Sequence, residues 1–288
     1  MSIRKAVIPA GGLGTRFLPT TKAVPKELLP VFDKPLIQYV VEEAVSSGIT
    51  EVILITSPGK EALQHYFEPA QYLELSLRDN ISTDVLEKTD QITTLPKFSY
   101  IEQSKPLGLG HAVLLAKKII GDEPFVVLLP DDIFQGSEPP LTQMIDLYNN
   151  LNAGVIAVEE VPLDRVSSYG IITPERINDN LYRVLGLVEK PSTARAPSNL
   201  AIVGRYVLPP EIFNFLEKTG FGANNEIQLT DALALLMKSS QLYAYRFPGL
   251  RLDGGTPIGL LKASLTIALN QENARSPVME TIRQLLQS

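Results

Sequence analysis

What most constrains this chain is an alternation of continuous apolar, β-branched runs with amphipathic stretches. Val52-Ile53-Leu54-Ile55 follows a helix-like segment at 36–47, Phe125-Val126-Val127-Leu128-Leu129 follows one at 112–120, and Val155-Ile156-Ala157-Val158 follows one at 141–150. A strand that is apolar on both faces has to be covered on both faces. Helices between successive strands supply that cover and let the strands run parallel. The pattern predicts an α/β chain built on a buried, mostly parallel sheet, and ligands of such sheets collect beyond the carboxyl ends of the strands.

From Tyr169 the rhythm changes. Gly170-Ile171-Ile172 and the stretches 181–188 and 201–208 are closely spaced strand candidates with no long helix between them. They predict an antiparallel or mixed extension over one edge of the site. Residues 211–218, 229–239, 257–269 and 278–286 read as helices, with Pro257 suited to a first helical turn. The polar stretch 72–95 reads as helix followed by loop. The chain carries neither a repeat nor a low-complexity linker.

With 288 residues, 44% of them apolar, the chain can bury a sizeable core. A net charge of −6 and the lack of a long basic run argue against nucleic acid as a partner. Cysteine is absent, which excludes disulfides, a thiolate nucleophile and cysteine-bound metal, and fits a reducing cytoplasm. No signal peptide is expected, and no apolar run approaches the roughly 20 residues of a membrane span.

The first strand, Lys5-Ala6-Val7-Ile8-Pro9, empties into Ala10-Gly11-Gly12-Leu13-Gly14-Thr15-Arg16, with Lys22 and Lys26-Glu27 close behind. A glycine turn after a strand is most often just a tight turn. Here three cations packed behind it favour a phosphate site, in which backbone N–H groups close on the anion. The sequence lacks a Walker loop, and the dinucleotide fingerprint fails because its third glycine and the acid ending the second strand are missing.

Further along, Asp131-Asp132 follows an apolar strand and Pro130, and Asp253 precedes two glycines. One or two carboxylates with phosphate oxygens and water are a usual magnesium site. A second glycine turn, 103–112, contains Gln103, which can both donate and accept toward a pyrimidine edge, and Gly108, where backbone can approach a flat base. His111 reads as helix capping or packing, and Asp132 as packing or solvent-facing. Glu189-Lys190-Pro191 ends a strand and taken alone is a solvated edge. Thr230 or Asp231 reads as a helix cap. With no cysteine, two histidines and no serine-hydrolase motif, a reaction through an activated protein nucleophile is hard to stage.

Gly-Gly-x-Gly-Thr-Arg at 11–16, Lys-x-x-Pro-Lys-Glu-Leu-Leu-Pro at 22–30 and Asp-Lys-Pro-Leu-Ile-Gln-Tyr at 33–39 resemble the sugar-phosphate nucleotidylyltransferases. Within them the likeness is greatest to the bacterial UTP–glucose-1-phosphate uridylyltransferases. Pro-Leu-Gly-Leu-Gly-His at 106–111 and Gln-Leu-Thr-Asp at 228–231 extend it over about 5–269. The resemblance implies a Rossmann-like three-layer α/β/α nucleotidyltransferase of glycosyltransferase-A type, with a mixed central sheet and a small antiparallel extension. It implies one domain over 1–288, with a nucleotide-binding part at about 1–165 and a sugar-binding and helical part at about 166–288.

The implied reaction joins UTP and glucose 1-phosphate into UDP-glucose and pyrophosphate. Arg16, Lys26, Asp131 and Lys190 would be catalytic, and Asp131 and Asp253 would hold Mg2+. Ala10, Gly11, Gly12, Gly14, Thr15, Glu27, Gln103 and Gly108 would bind the nucleotide. Gly170, Glu189, Lys190, Gly204 and Glu226 would bind the sugar, with Tyr169, Val203 and Asn224 near them. A homodimer or homotetramer is implied, and no membrane partner. One departure stands out: Gly255-Thr256-Pro257 is more like relatives making dTDP-glucose or ADP-glucose, so a dTTP- or ATP-preferring enzyme is the alternative. A non-catalytic nucleotide-sugar-binding paralogue is disfavoured, because Arg16, Lys26, Asp131, Lys190 and Asp253 are all present. An NAD-dependent enzyme ranks third.

Overall fold

A computed structural model describes residues 3–69, 96–222 and 225–287. The helix and loop expected at 72–95, and Asn224, lie outside them. Apart from a short ribbon of β2 (Pro30–Val31) and β3 (Lys34–Pro35), four parallel strands form one half of the central sheet: β1 (Lys5–Pro9), β4 (Glu51–Thr56), β5 (Lys97–Glu102) and β6 (Phe125–Leu128). The other half holds β8 (Gly154–Glu160), β9 (Gly170–Arg176), β10 (Leu181–Glu189), β11 (Leu200–Leu208) and β12 (Leu242–Tyr245). The order across the sheet is β5-β4-β1-β6-β11-β8-β12-β10-β9.

Side chains alternate between two apolar layers. Val7, Ile53 and Ile55 face α3 (Leu109–Leu115), α6 (Ile212–Leu216) and α7 (Leu229–Leu236), whereas Ala6, Ile8, Val52 and Leu54 face α1 (Leu36–Ser46) and α5 (Pro140–Leu151). In α1 the buried set Leu36, Ile37, Val40, Val41 and Ala44 makes one stripe at helical spacing, and the shorter α2 (Glu61–Phe67) and α4 (Lys117–Ile120) complete the helices of this half. The result is the α/β layering that the alternation predicts, in the Rossmann-like α/β/α form that the family resemblance implies.

Two expectations are corrected. The segment 201–208 is antiparallel, as expected, but it belongs to the middle of the central sheet: β11 runs between β6 and β8, also meets β9, and all nine of its residues are buried. Its apolar side chains alternate into both helical layers, Ile202, Tyr206 and Leu208 on one side and Val203 and Val207 on the other. The sheet is consequently mixed, and the antiparallel extension reduces to β9 and β10. At α7 the cap position is Gln228, without a side-chain cap bond, so Thr230 and Asp231 lie inside the first turn.

A separate two-stranded ribbon pairs β7 (Asp132–Gln135) with β13 (Leu250–Asp253), placing Asp253 opposite Asp132. Beyond it come α8 (Pro257–Asn270) and α9 (Glu272–Gln287).

Candidate functional site

The four parallel strands end on one side of the sheet, where the turns after β1, β5 and β6 converge. They line a cavity of about 300 Å3 whose walls include Pro9, Gly11, Gly12, Lys26, Gln103, Pro106, Gly108, Leu129, Asp131 and Glu226. Two chain segments separated in sequence by over a hundred residues meet at its rim. Ile227 N donates to Leu107 O, and Gly110 N donates to Ile227 O, both at 2.8 Å. Gly108 has φ +101°, and a Cβ there would stand 2.7 Å from Glu226 Cβ, so both the backbone angle and the close approach require glycine.

At the other end, Lys26 Nζ donates to Asp131 Oδ2 at 2.6 Å. Burial lowers the Lys26 pKa, but the Asp131 and Glu27 charges outweigh it and the ammonium is held above its ordinary range. For Asp131, burial raises the pKa, and Lys26 outweighs it, so the carboxylate is held below its usual range. The pair is therefore a stable ammonium and carboxylate facing one cavity. The ribbon brings Asp253 to the same place: a Cβ on Gly255 would lie 3.0 Å from Asp253 Oδ1 and 3.2 Å from Asp131 Oδ2. Arg16 is exposed above them, its Nη1 3.5 Å from Gly255 O.

Not every expected residue reaches the cavity wall. Ala10 is fully buried, Gly14 bends the turn at φ +64° and accepts from Thr21 Oγ1, and Thr15 and Lys22 are exposed on short 3-10 turns. Glu27 is 1% exposed beneath the turn, bound by Lys60 Nζ at 2.8 and 3.0 Å. The same Nζ donates to Ala10 O at 2.5 Å. Lys60 was not among the sequence candidates. Its signal is its position, four residues past the end of β4 at the edge where ligands gather.

Of the expected sugar residues, Glu226 lines this cavity, Gly170, Glu189 and Lys190 lie together, and Gly204 stands against the aspartate turn. Glu189 pairs in register with Gly170, its carboxylate beside the Gly170 Cα and 3.4 Å from Lys190 Nζ. Lys190 has φ +46° and its N donates to Tyr169 O. Gly204 sits on β11 directly beside the Asp131-Asp132 turn: Leu129 N donates to Gly204 O, and Gly204 N to Asp132 Oδ2.

Two arginines that the sequence reading passed over hold that turn. Arg205 is fully buried, ion-paired to Glu43 at 2.6 Å, and donates to the carbonyls of Leu129, Gly204 and Asp132. It thus straddles Pro130-Asp131 from below. Its signal is a lone charge inside an otherwise apolar strand. Arg251 pairs with Asp132 at 2.6 Å and Glu159 at 2.7 Å, and donates to the Tyr169 hydroxyl. Of the two roles expected for Asp132, packing and solvent, the structure shows the packed one: it is 6% exposed and ties the turn to both β11 and β13. His111 neither caps α3, whose cap is Gly108, nor merely packs: its Nδ1 lies 2.9 Å from Gln103 Nε2. Thr256, in the departing Gly-Thr-Pro segment, caps α8 through Gly259 N at 3.0 Å, and Pro257 takes the first turn. That segment has a helix-starting role of its own, apart from any reading of the base.

A larger cavity, about 800 Å3, opens behind β13 between β8 and α8 and shares Asp253 with the site. It lacks the glycine turns and Lys26, so the smaller cavity is the candidate active site.

The profile of the nucleotidyl transferase family matches residues 5–270. The chain is 47% identical, across 98% of either chain, to UTP–glucose-1-phosphate uridylyltransferase 2 of Staphylococcus saprophyticus. Among solved structures, the UTP-bound UGPase from Acinetobacter baumannii superposes with a TM-score of 0.92 at 42% identity, covering 99% of this chain and 100% of that one. A UDP-glucose pyrophosphorylase complexed with UDP-glucose superposes with a TM-score of 0.86 at 42% identity, over 94% of this chain and 100% of that one. The chain belongs to the nucleotidyl transferase family, in the branch that holds the UTP–glucose-1-phosphate uridylyltransferases.

Proposed function

We infer that the chain transfers the uridylyl group of UTP to glucose 1-phosphate, giving UDP-glucose and pyrophosphate. The observation that carries this reading is one cavity in which a glycine turn, the Gln103 amide and the Lys26–Asp131 pair meet. Full-length similarity to proteins named for this reaction supports it.

The reaction needs no protein nucleophile. The phosphate of glucose 1-phosphate is already anionic at neutral pH, since a phosphomonoester's second pKa is about 6. One of its oxygens attacks the α-phosphorus of UTP, a new P–O bond forms, and the bond to the pyrophosphate oxygen breaks. Catalysis is then alignment and charge neutralisation. In this reading the backbone of Ala10, Gly11, Gly12, Gly14 and Thr15 holds the nucleotide, with Glu27 supporting it from below. Gln103 and Gly108 read the base. Arg16 takes up charge developing toward pyrophosphate, Lys26 neutralises the triphosphate, and Lys190 aims the sugar phosphate. Glu189, Glu226 and the backbone at Gly170 and Gly204 hold the sugar.

Asp131 and Asp253 would hold a magnesium ion. They supply hard oxygen donors flanking Gly255. Among the described residues no group of three or more His, Cys, Asp or Glu is arranged so that it could hold a metal ion by itself. Such a two-carboxylate site suits an ion that keeps water and phosphate oxygens as its other ligands. When bound, the ion neutralises phosphate charge.

We further propose a cytoplasmic homodimer or homotetramer. Exposed Ile258, Leu261 and Leu265 on one face of α8 support self-association, and no described helix is long and apolar enough to cross a membrane. The primary test is magnesium-dependent pyrophosphate release from glucose 1-phosphate with UTP, dTTP, ATP, CTP and GTP in turn. UTP is expected to give the highest kcat/KM. Preference for dTTP or ATP would move the specificity to that nucleotide, and no release at all alongside UDP-glucose binding would favour the non-catalytic paralogue.

A further inference from the structure

Gln103 stands at the end of β5, buried at 6% exposure, with its side chain in the cavity wall. One end of its amide lies 3.2 Å from the carbonyl oxygen of Gly108 and 2.9 Å from His111 Nδ1. A backbone carbonyl can only accept, so the end facing Gly108 is the NH2 group. Its second hydrogen then points at His111, which requires Nδ1 to be the bare nitrogen and the ring proton to sit on Nε2. Burial lowers the His111 pKa, in keeping with a neutral ring. The oxygen end of the amide faces the glycine turn: a Cβ on Gly11 would stand 3.1 Å from Gln103 Oε1.

We propose that His111 is a specificity-determining positioning residue, which through Nδ1 fixes the Gln103 amide so that its oxygen, an acceptor, is presented to the base. An acceptor matches the N3–H of uracil or thymine and opposes the bare N3 of cytosine. Turning the amide over to suit cytosine would set Oε1 against the Gly108 carbonyl, and also against His111 Nδ1 for as long as the ring keeps its proton on Nε2. Without His111 only one of those oppositions remains. The inference rests on Gln103 being a reader of the base, as proposed above.

The test compares kcat/KM for UTP and CTP in the wild type, Gln103→Leu, His111→Leu and His111→Asn. His111→Leu is expected to lower the UTP-to-CTP ratio about five- to ten-fold, the effect of one net hydrogen bond. His111→Asn, whose Oδ1 can still accept, should retain most of the ratio. If Gln103→Leu lowers the ratio and His111→Leu does not, the inference fails and the base reading stands. If neither changes it, both fail. An equal loss with UTP and CTP in His111→Leu would mean a packing role alone and would also overturn the inference. Should His111→Leu not fold, 15N NMR of the wild type decides. The chain has two histidines, and His65→Gln assigns the signals. The Nε2–H tautomer is expected for His111 at pH 7.5, and an Nδ1–H tautomer overturns the proposal.

Discussion

Lys60 and Glu27 form an ion pair almost wholly out of water, 9% and 1% exposed at the side chain, directly under the glycine turn. Burial lowers the Lys60 pKa and raises that of Glu27, each opposed by the other's charge. Losing one partner leaves the other as an uncompensated buried charge, which typically costs about 3–5 kcal/mol. Lys60→Met should therefore destabilise the chain by roughly that amount in denaturant melts, and Lys60→Met with Glu27→Gln should recover part of it. Because Nζ also holds Ala10 O, the single variant should weaken UTP binding as well. The sequence showed Glu27 as one acid among lysines. Which lysine it meets depends on the turn after β4 folding back over the turn after β1.

At the scale of elements, the Asp131-Asp132 turn is held between β11 and β13. Gly204 is the point of closest approach: a Cβ there would lie 2.4 Å from Asp132 Oδ2 and 2.9 Å from Asp132 Cβ. Gly204→Ala must push Asp132 aside and drag its neighbour Asp131 with it. Overpacking of this kind costs about 1–3 kcal/mol. The expected outcome is a modest fall in melting temperature with a drop of ten-fold or more in kcat for pyrophosphate release. An alanine variant that melted lower but kept kcat would show that the turn tolerates the shift. Individual strands of this region were legible from their apolar runs. The neighbours of β11 were not, because a buried run looks the same whether its partners are parallel or antiparallel.

At the scale of the molecule, three carboxylates gather where the ribbon meets the sheet. Burial, opposed by Arg251 and reinforced by Asp131 and Asp253, raises the Asp132 carboxyl to about 6. Its ordinary value is 3.8, so between about pH 4 and 6 the folded chain binds this proton more than the unfolded chain does. Ionising Asp132 therefore costs folded-state stability, and the cost is complete above pH 6 and relieved as pH falls toward 4. The stability of the wild type relative to Asp132→Asn should accordingly rise as pH is lowered from 7 to 4.5, and level off above about 6.5. A flat difference across that range in chemical denaturation would count against the shift.

By itself, the sequence determined the layered α/β architecture, because strands apolar on both faces admit few other arrangements. It also located the two glycine turns, the lysine-rich loop and the acids at strand ends, since these chemistries are local. The tertiary structure alone decided which of them meet. It set Asp253 opposite Asp132 through a ribbon between segments over a hundred residues apart, buried Glu27 against Lys60, and brought His111 Nδ1 against the Gln103 amide. It also revealed Arg205 and Arg251 as the supports of the aspartate turn. Spacing along a chain reports what neighbouring residues can do together. Contacts between distant residues depend on strand order and register, which follow from packing the whole core and leave no periodic trace in the sequence.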